Sequence, residues 1–172
     1  MRIALLSSHY LEAAARWRHF ALLEPGGFAA GVWILSCSWI YVWYAVWAVE
    51  LLTRWTGPLS IVNISAPWLL WSQNMKLQIV FNTLQEEILW RAPLYFIPRR
   101  YLFAAVVIAA VGFGWSHGDA RKILVQGIGG LLFSWVFLKC GGFHGRPVRG
   151  ILCATLGHYL TTVQLNPHLR FG

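Results

Sequence analysis

Charge is what this sequence has least of. Only 12% of its 172 residues are Asp, Glu, Lys or Arg, and only six are acidic. A soluble domain carries about 25% charged residues, so with 58% hydrophobic residues, 11 Trp and a mean hydropathy of +0.55 that class is excluded. Cysteine is sparse: Cys37, Cys140 and Cys153 lie in or beside apolar runs without CxxC spacing, and read as small packing residues that carry no information on redox compartment. No HExxH is present, no internal repeat, and no low-complexity stretch. A signal peptide is not expected, because Ile3–Leu6 is too short for its apolar region and no small-residue cleavage site follows. The net charge of +8 does not point to nucleic acid, since the basic residues cluster in short segments between apolar runs, as lipid-flanking loops require.

What is there is a series of apolar runs. The pattern predicts an all-α fold, a polytopic transmembrane helical bundle of about five spans forming one domain over residues 1–172. Residues 1–27 are expected to hold a short interfacial helix, ended by Glu24-Pro25-Gly26-Gly27. The first span is 28–52. Residues 57–74, interrupted by Pro58 and Pro67, are too short in apolar content to cross and read as an interfacial or re-entrant segment. Further spans are predicted over 75–97, 101–116, 120–140 and 148–165. Asp119 is positioned to N-cap the fourth, and Gly127, Gly129 and Gly130 allow a neighbouring backbone to come close.

The chain is organised around Gln85-Glu86-Glu87-Ile88-Leu89-Trp90-Arg91, which places two of the six acids side by side within a predicted span. A carboxylate at the bilayer centre costs about 2.5–3.5 kcal/mol on insertion scales, so such charges mark function. Gln78, Asn82 and Glu86 recur every four residues and share one helical face, which must point into the bundle or a wet cavity. Glu87 and Arg91 are also four apart, on a face rotated by about 100°. The spacing therefore separates two tasks: Glu87 braces Arg91, and Glu86 meets ligand or water. His117 closes the third span and His158 lies within the fifth, giving Glu86 two imidazoles from different helices. One carboxylate and two imidazoles suffice to activate water and to steady a developing oxyanion. His9, His19, His144 and His168 lie in loops or tails and read as incidental.

At these positions the sequence resembles the CAAX-protease and bacteriocin-processing family, also called the Abi family. Glu86-Glu87-x-x-x-Arg91, Phe113-x-x-x-His117 and His158 correspond in order and rough spacing to its three motifs, over about Met75 to Asn166. The resemblance implies a helical intramembrane protease of the glutamate type without a cofactor. In it Glu86 activates water with help from His117, His158 steadies the oxyanion, and Glu87 and Arg91 form a structural pair. The family's last motif has Asn four residues after the histidine, where this chain has Thr162; Asn166, a turn further on, is a poor substitute. Small relatives of this kind imply a bacterial or archaeal cell membrane, with a membrane-anchored or C-terminally tagged protein or peptide as substrate, and membrane lipid as the other partner.

Three other readings compete. Glu86, His117 and His158 with a water would also make a catalytic zinc set. Thr162 leaves room for a non-catalytic immunity or scaffold protein on the same fold. A small transporter or channel would need a polar path across the whole bilayer, whereas the polar residues converge at one depth. For orientation, eight basic residues fall on the N-terminal side (Arg2, Arg16, Arg18, Arg99, Arg100, Lys139, Arg146, Arg149) and five opposite (Arg54, Lys76, Arg121, Lys122, Arg170), which favours a cytoplasmic N-terminus.

Overall fold

The computed structural model describes residues 26–59 and 74–166. Among them are five α-helices and no strand: α1 (Gly27–Thr56), α2 (Met75–Arg91), α3 (Arg99–Trp115), α4 (Lys122–Cys140) and α5 (Pro147–Leu165), with 3-10 turns at Ala92–Phe96 and Gly142–His144. The helix expected within residues 1–27 and nearly all of the 57–74 segment lie outside the described residues.

Local chemistry sets the helix limits. Asn74 caps α2, its Oδ1 accepting from the backbone N–H groups of Lys76 at 3.0 Å and Leu77 at 3.2 Å. The helix ends at Arg91, six residues short of the predicted Ile97, because Pro93 lacks the N–H that would continue the ladder and the chain tightens into the 3-10 turn. Pro147 opens α5, where its missing N–H costs nothing. Asp119 does not N-cap α4, whose N-cap position is Arg121; it closes the turn before the helix, its Oδ1 accepting from the Arg121 backbone N–H at 2.9 Å.

Two helical stretches, Gly27–Thr56 and Lys122–His144, are long and apolar enough to cross a membrane. The other three predicted spans do not reach that standard. α3 has 17 residues; α2 is diluted by Gln78, Asn82, Gln85, Glu86 and Glu87, and α5 by its threonines, His158 and Gln164.

α4 is the central helix, packed against α3, α5 and α1, while α2 lies mainly against α5. α1 buries Ala30, Ile34, Cys37, Tyr41, Ala45 and Ala48, one side at helical spacing. Its other side exposes Trp39, Trp43 and Trp47, a large apolar surface that suits lipid. Small residues let α3 and α4 touch backbone to backbone: a Cβ at Gly130 would sit 3.0 Å from Ala110 Cα, and one at Gly114 only 2.6 Å from Ile123 Cα. Neither neighbour at Gly114 is a flexible tip. Gly114→Ala should therefore separate the α3 end from the α4 start and destabilise by about 1–3 kcal/mol, read as a lower melting temperature in detergent.

Arg121 ties α1 to α4. Its guanidinium grips both carboxylate oxygens of Asp119 and also donates to Thr56 Oγ1 at 2.9 Å and to the carbonyls of Thr56 and Gly57 at 3.3 and 3.1 Å. Arg121 holds the Asp119 carboxyl down at about 2, below its unfolded value. The clasp thus adds stability above the ordinary carboxylate range, and this is lost only as pH falls through about 2. Arg121→Lys cannot reproduce the planar fork, and hydrogen exchange at Gly57 should become faster in that variant.

Candidate functional site

Four helices converge on one buried polar cluster. α2 brings Glu86, Glu87 and Arg91; the end of α3 brings Phe113 and His117; α4 brings Gly130 and Phe133; α5 brings His158. Glu87 and Arg91 are 0% and 1% exposed. Arg91 Nε lies 3.1 Å from Glu87 Oε2, close as an ion pair but off the line of a hydrogen bond. The guanidinium is further held by the Phe113 ring, 4.6 Å from its centroid, and by a long 3.5 Å contact to the Gly130 carbonyl.

The second Glu87 oxygen is not idle. His158 Nδ1 donates to Glu87 Oε1 at 2.9 Å, so Glu87 is shared between Arg91 and His158 instead of serving Arg91 alone. That bond fixes the imidazole tautomer and turns Nε2 toward Glu86, whose Oε2 is 3.7 Å away. Two aromatic rings hold the orientation: Phe133 stacks on His158 at 5.0 Å and 18°, and Phe113 meets it edge-on at 5.6 Å.

His117 is placed by its own helix. Its Nδ1 donates to the Phe113 carbonyl at 2.8 Å, and its ring meets Phe113 edge-on at 4.9 Å. Glu86 and His158 are both within electrostatic reach of it. Phe113, 1% exposed, is thus the common wall touching Arg91, His117 and His158. Asn82 accepts from Gln78 Nε2 at 2.6 Å, one turn before Glu86 on the same face.

The Thr162 side chain is turned back onto its own helix. Its hydroxyl donates to the His158 carbonyl at 3.0 Å within its own helix, and Asn166 Nδ2 donates to the Thr162 carbonyl at 2.7 Å. Among the described residues no group of three or more His, Cys, Asp or Glu side chains is placed to hold a metal ion.

Several participants were not visible in the sequence. Phe133 carries no chemical signature, although its position three residues after Gly130 puts it near the helix face that the glycines mark. Lys122, counted above among the charges flanking the membrane, is 2% exposed, and its ammonium has no hydrogen bond among the described residues. It lies within electrostatic reach of His117. Removing it from that tally leaves four basic residues on that side.

No curated protein sequence and no solved structure matches the chain. A family model does, the type II CAAX prenyl endopeptidase Rce1-like model, over residues 66–163. The matched stretch holds α2 to nearly the end of α5, including the whole polar cluster, and leaves α1 outside. Covering more than half of the chain, the match establishes that this protein belongs to the Rce1-like family of CAAX prenyl endopeptidases, a family of membrane proteases.

Proposed function

We propose that the protein is an intramembrane endopeptidase that hydrolyses a peptide bond in a membrane-anchored or C-terminally tagged protein or peptide. The observation that carries this reading is the position of His158 between two carboxylates, 2.9 Å from Glu87 and 3.7 Å from Glu86. With Nδ1–H given to Glu87, a neutral His158 presents Nε2 as an acceptor. Nε2 and Glu86 Oε2 are then two acceptors too far apart to bond each other, and one water can donate to both at ordinary hydrogen-bond lengths of about 2.8 Å. Glu86 takes the proton of that water as it attacks the carbonyl carbon, and His117 assists from the end of α3. The proton moves on from Glu86 to the departing amine. Glu87 and Arg91 stay out of the reaction and hold His158 in register. No step needs a metal, and activity should survive a strong chelator; loss on chelation with recovery on added zinc would overturn that part.

The five helices are read as five spans, with α2, α3 and α5 crossing with help from the 3-10 turns and from a wet interior. The corrected charge tally favours a cytoplasmic N-terminus, and the membrane is read as that of a prokaryotic cell. A reporter fused at Arg99-Arg100 should report a cytoplasmic position, and an external one overturns this orientation.

The test of the function is cleavage by the purified protein of peptides with apolar C-terminal segments, read by mass spectrometry. A single scissile position that is absent with Glu86→Gln supports the proposal; no cleavage across the set, or cleavage unchanged in that variant, overturns it. One observation favours the non-catalytic immunity or scaffold reading, the engagement of the Thr162 hydroxyl by its own helix. That reading predicts full biological effect from Glu86→Gln.

A further inference from the structure

Hydrolysis at Glu86 needs a donor for the oxygen that becomes negative, and α5 offers little. The hydroxyls of Thr161 and Thr162 both donate to the His158 carbonyl, at 2.7 and 3.0 Å, and Asn166 is tied to Thr162. The neighbouring helix supplies another group. Tyr41 of α1 is 6% exposed, and its ring stands edge-on to Phe133 at 5.6 Å, the ring that stacks on His158. Its phenol end leans over Gly129, where a Cβ would lie 2.7 Å from Tyr41 Cζ. The next residue, Gly130, is the one whose carbonyl meets Arg91. Glu86 and Arg91 are both within electrostatic reach of the Tyr41 side chain.

The level of α1 against the site is fixed independently. Ser38 Oγ donates to the Gly157 carbonyl at 3.1 Å, one residue before His158. Tyr41 follows Ser38 by three residues, about 4.5 Å along the axis. A buried tyrosine hydroxyl ordinarily finds a partner, and even the partly exposed Tyr44 donates to the Leu124 carbonyl. The Tyr41 hydroxyl makes no hydrogen bond among the described residues, although its ring is closely packed.

We propose that Tyr41, from a helix outside the family-matched core, donates its phenolic O–H to the oxyanion formed when Glu86-activated water attacks the substrate carbonyl. This rests on the hydrolytic reading above. The water oxygen bonds the carbonyl carbon, its proton passes to Glu86, and the carbonyl π pair moves onto the oxygen that accepts from Tyr41. When that pair returns, the C–N bond breaks and the amine takes the proton held by Glu86. Tyr41 keeps its own proton throughout, so no further reactant is needed. Gly129 gives the phenol its room, which is a reason for glycine at that position beyond helix packing.

The test compares kcat, KM and melting temperature for the wild type, Tyr41→Phe, Gly129→Ala and Tyr44→Phe on a cleaved peptide. Tyr41→Phe removes one oxygen and should lower kcat by about 10²–10³, the usual worth of an oxyanion donor, with KM and melting temperature nearly unchanged. Gly129→Ala keeps the hydroxyl but displaces it, and should also lower kcat. Tyr44→Phe, which removes a structural hydroxyl one turn away, should leave kcat alone. A Tyr41→Phe enzyme with wild-type kcat overturns the assignment and leaves the protease reading standing. So does a loss confined to KM, or one that follows melting temperature and is matched by Tyr44→Phe. A wild type that cleaves no peptide removes the hydrolytic reading and this assignment with it.

Discussion

Glu87→Gln is expected to unfold much of the protein, with a loss of about 3–5 kcal/mol, the cost of breaking a fully buried ion pair from one side. The carboxylate and the guanidinium are 0% and 1% exposed, so water cannot replace the missing charge. Arg91 has few alternatives: its Nη1 has no hydrogen bond, and its contact to the Gly130 carbonyl is long. The neutral amide also disturbs His158, because it offers an N–H as well as a carbonyl where the imidazole now meets a carboxylate oxygen at 2.9 Å. Melting temperature and folded yield in detergent should both fall, and the protein that remains folded should cleave poorly. Glu87→Gln combined with Arg91→Met should recover part of the stability, since no bare charge is left behind, but not the activity, because His158 stays loose. Recovery of both would mean that Glu87 serves Arg91 alone. A stable, inactive single variant would place Glu87 in the reaction itself.

That shared role is what the sequence did not reveal, and the reason is physical. The four-residue spacing of Glu87 and Arg91 is a property of one helix and is legible in a single line of text. The Glu87–His158 bond joins residues 71 apart and depends on how α2 seats against α5. Spacing assigned one partner to a group that has two oxygens. The same limit explains Lys122 and Arg121. Adjacent basic residues at the start of the predicted 120–140 span read as flanking charge, yet the start of α4 buries one ammonium and aims the other side chain at the end of α1. Scarcity, by contrast, was informative. With six acids in an apolar chain, the Glu86-Glu87 pair stood out without any knowledge of the fold. The helical class and most helix positions followed from apolar runs bounded by Pro and Gly, and Pro93 inside the predicted 75–97 span is the residue that shortened α2. The number of crossings was not readable from length alone, because the helices that carry the polar cluster are the ones that the cluster makes less apolar.

Glu86→Gln should have the opposite signature to Glu87→Gln: a large kinetic loss with little change in stability. Glu86 is partly accessible, with its side chain 19% exposed, and its Oε2 sits 3.7 Å from the nearer His158 nitrogen. Gln keeps the length and the planar shape, so the packing of α2 against α5 has no reason to change. It cannot accept the proton of the attacking water. Loss of a general base typically lowers the rate by about 10²–10⁴, and kcat should fall by that much. The role proposed for Glu86 is confined to the transition state, so KM should move little, as expected when an interaction made only there is removed. Removing a carboxylate from a poorly solvated position should leave melting temperature unchanged or slightly higher. Glu86→Asp tests the geometry: it retains the base but shortens the reach, and should recover only part of the rate. The measurement is kcat and melting temperature for the wild type and both variants in one detergent. If Glu86→Gln melts many degrees lower, its carboxylate is structural and the water-activating role falls. If it cleaves at the wild-type rate, the base lies elsewhere in the cluster, and His117, within electrostatic reach of the same space, becomes the next residue to remove.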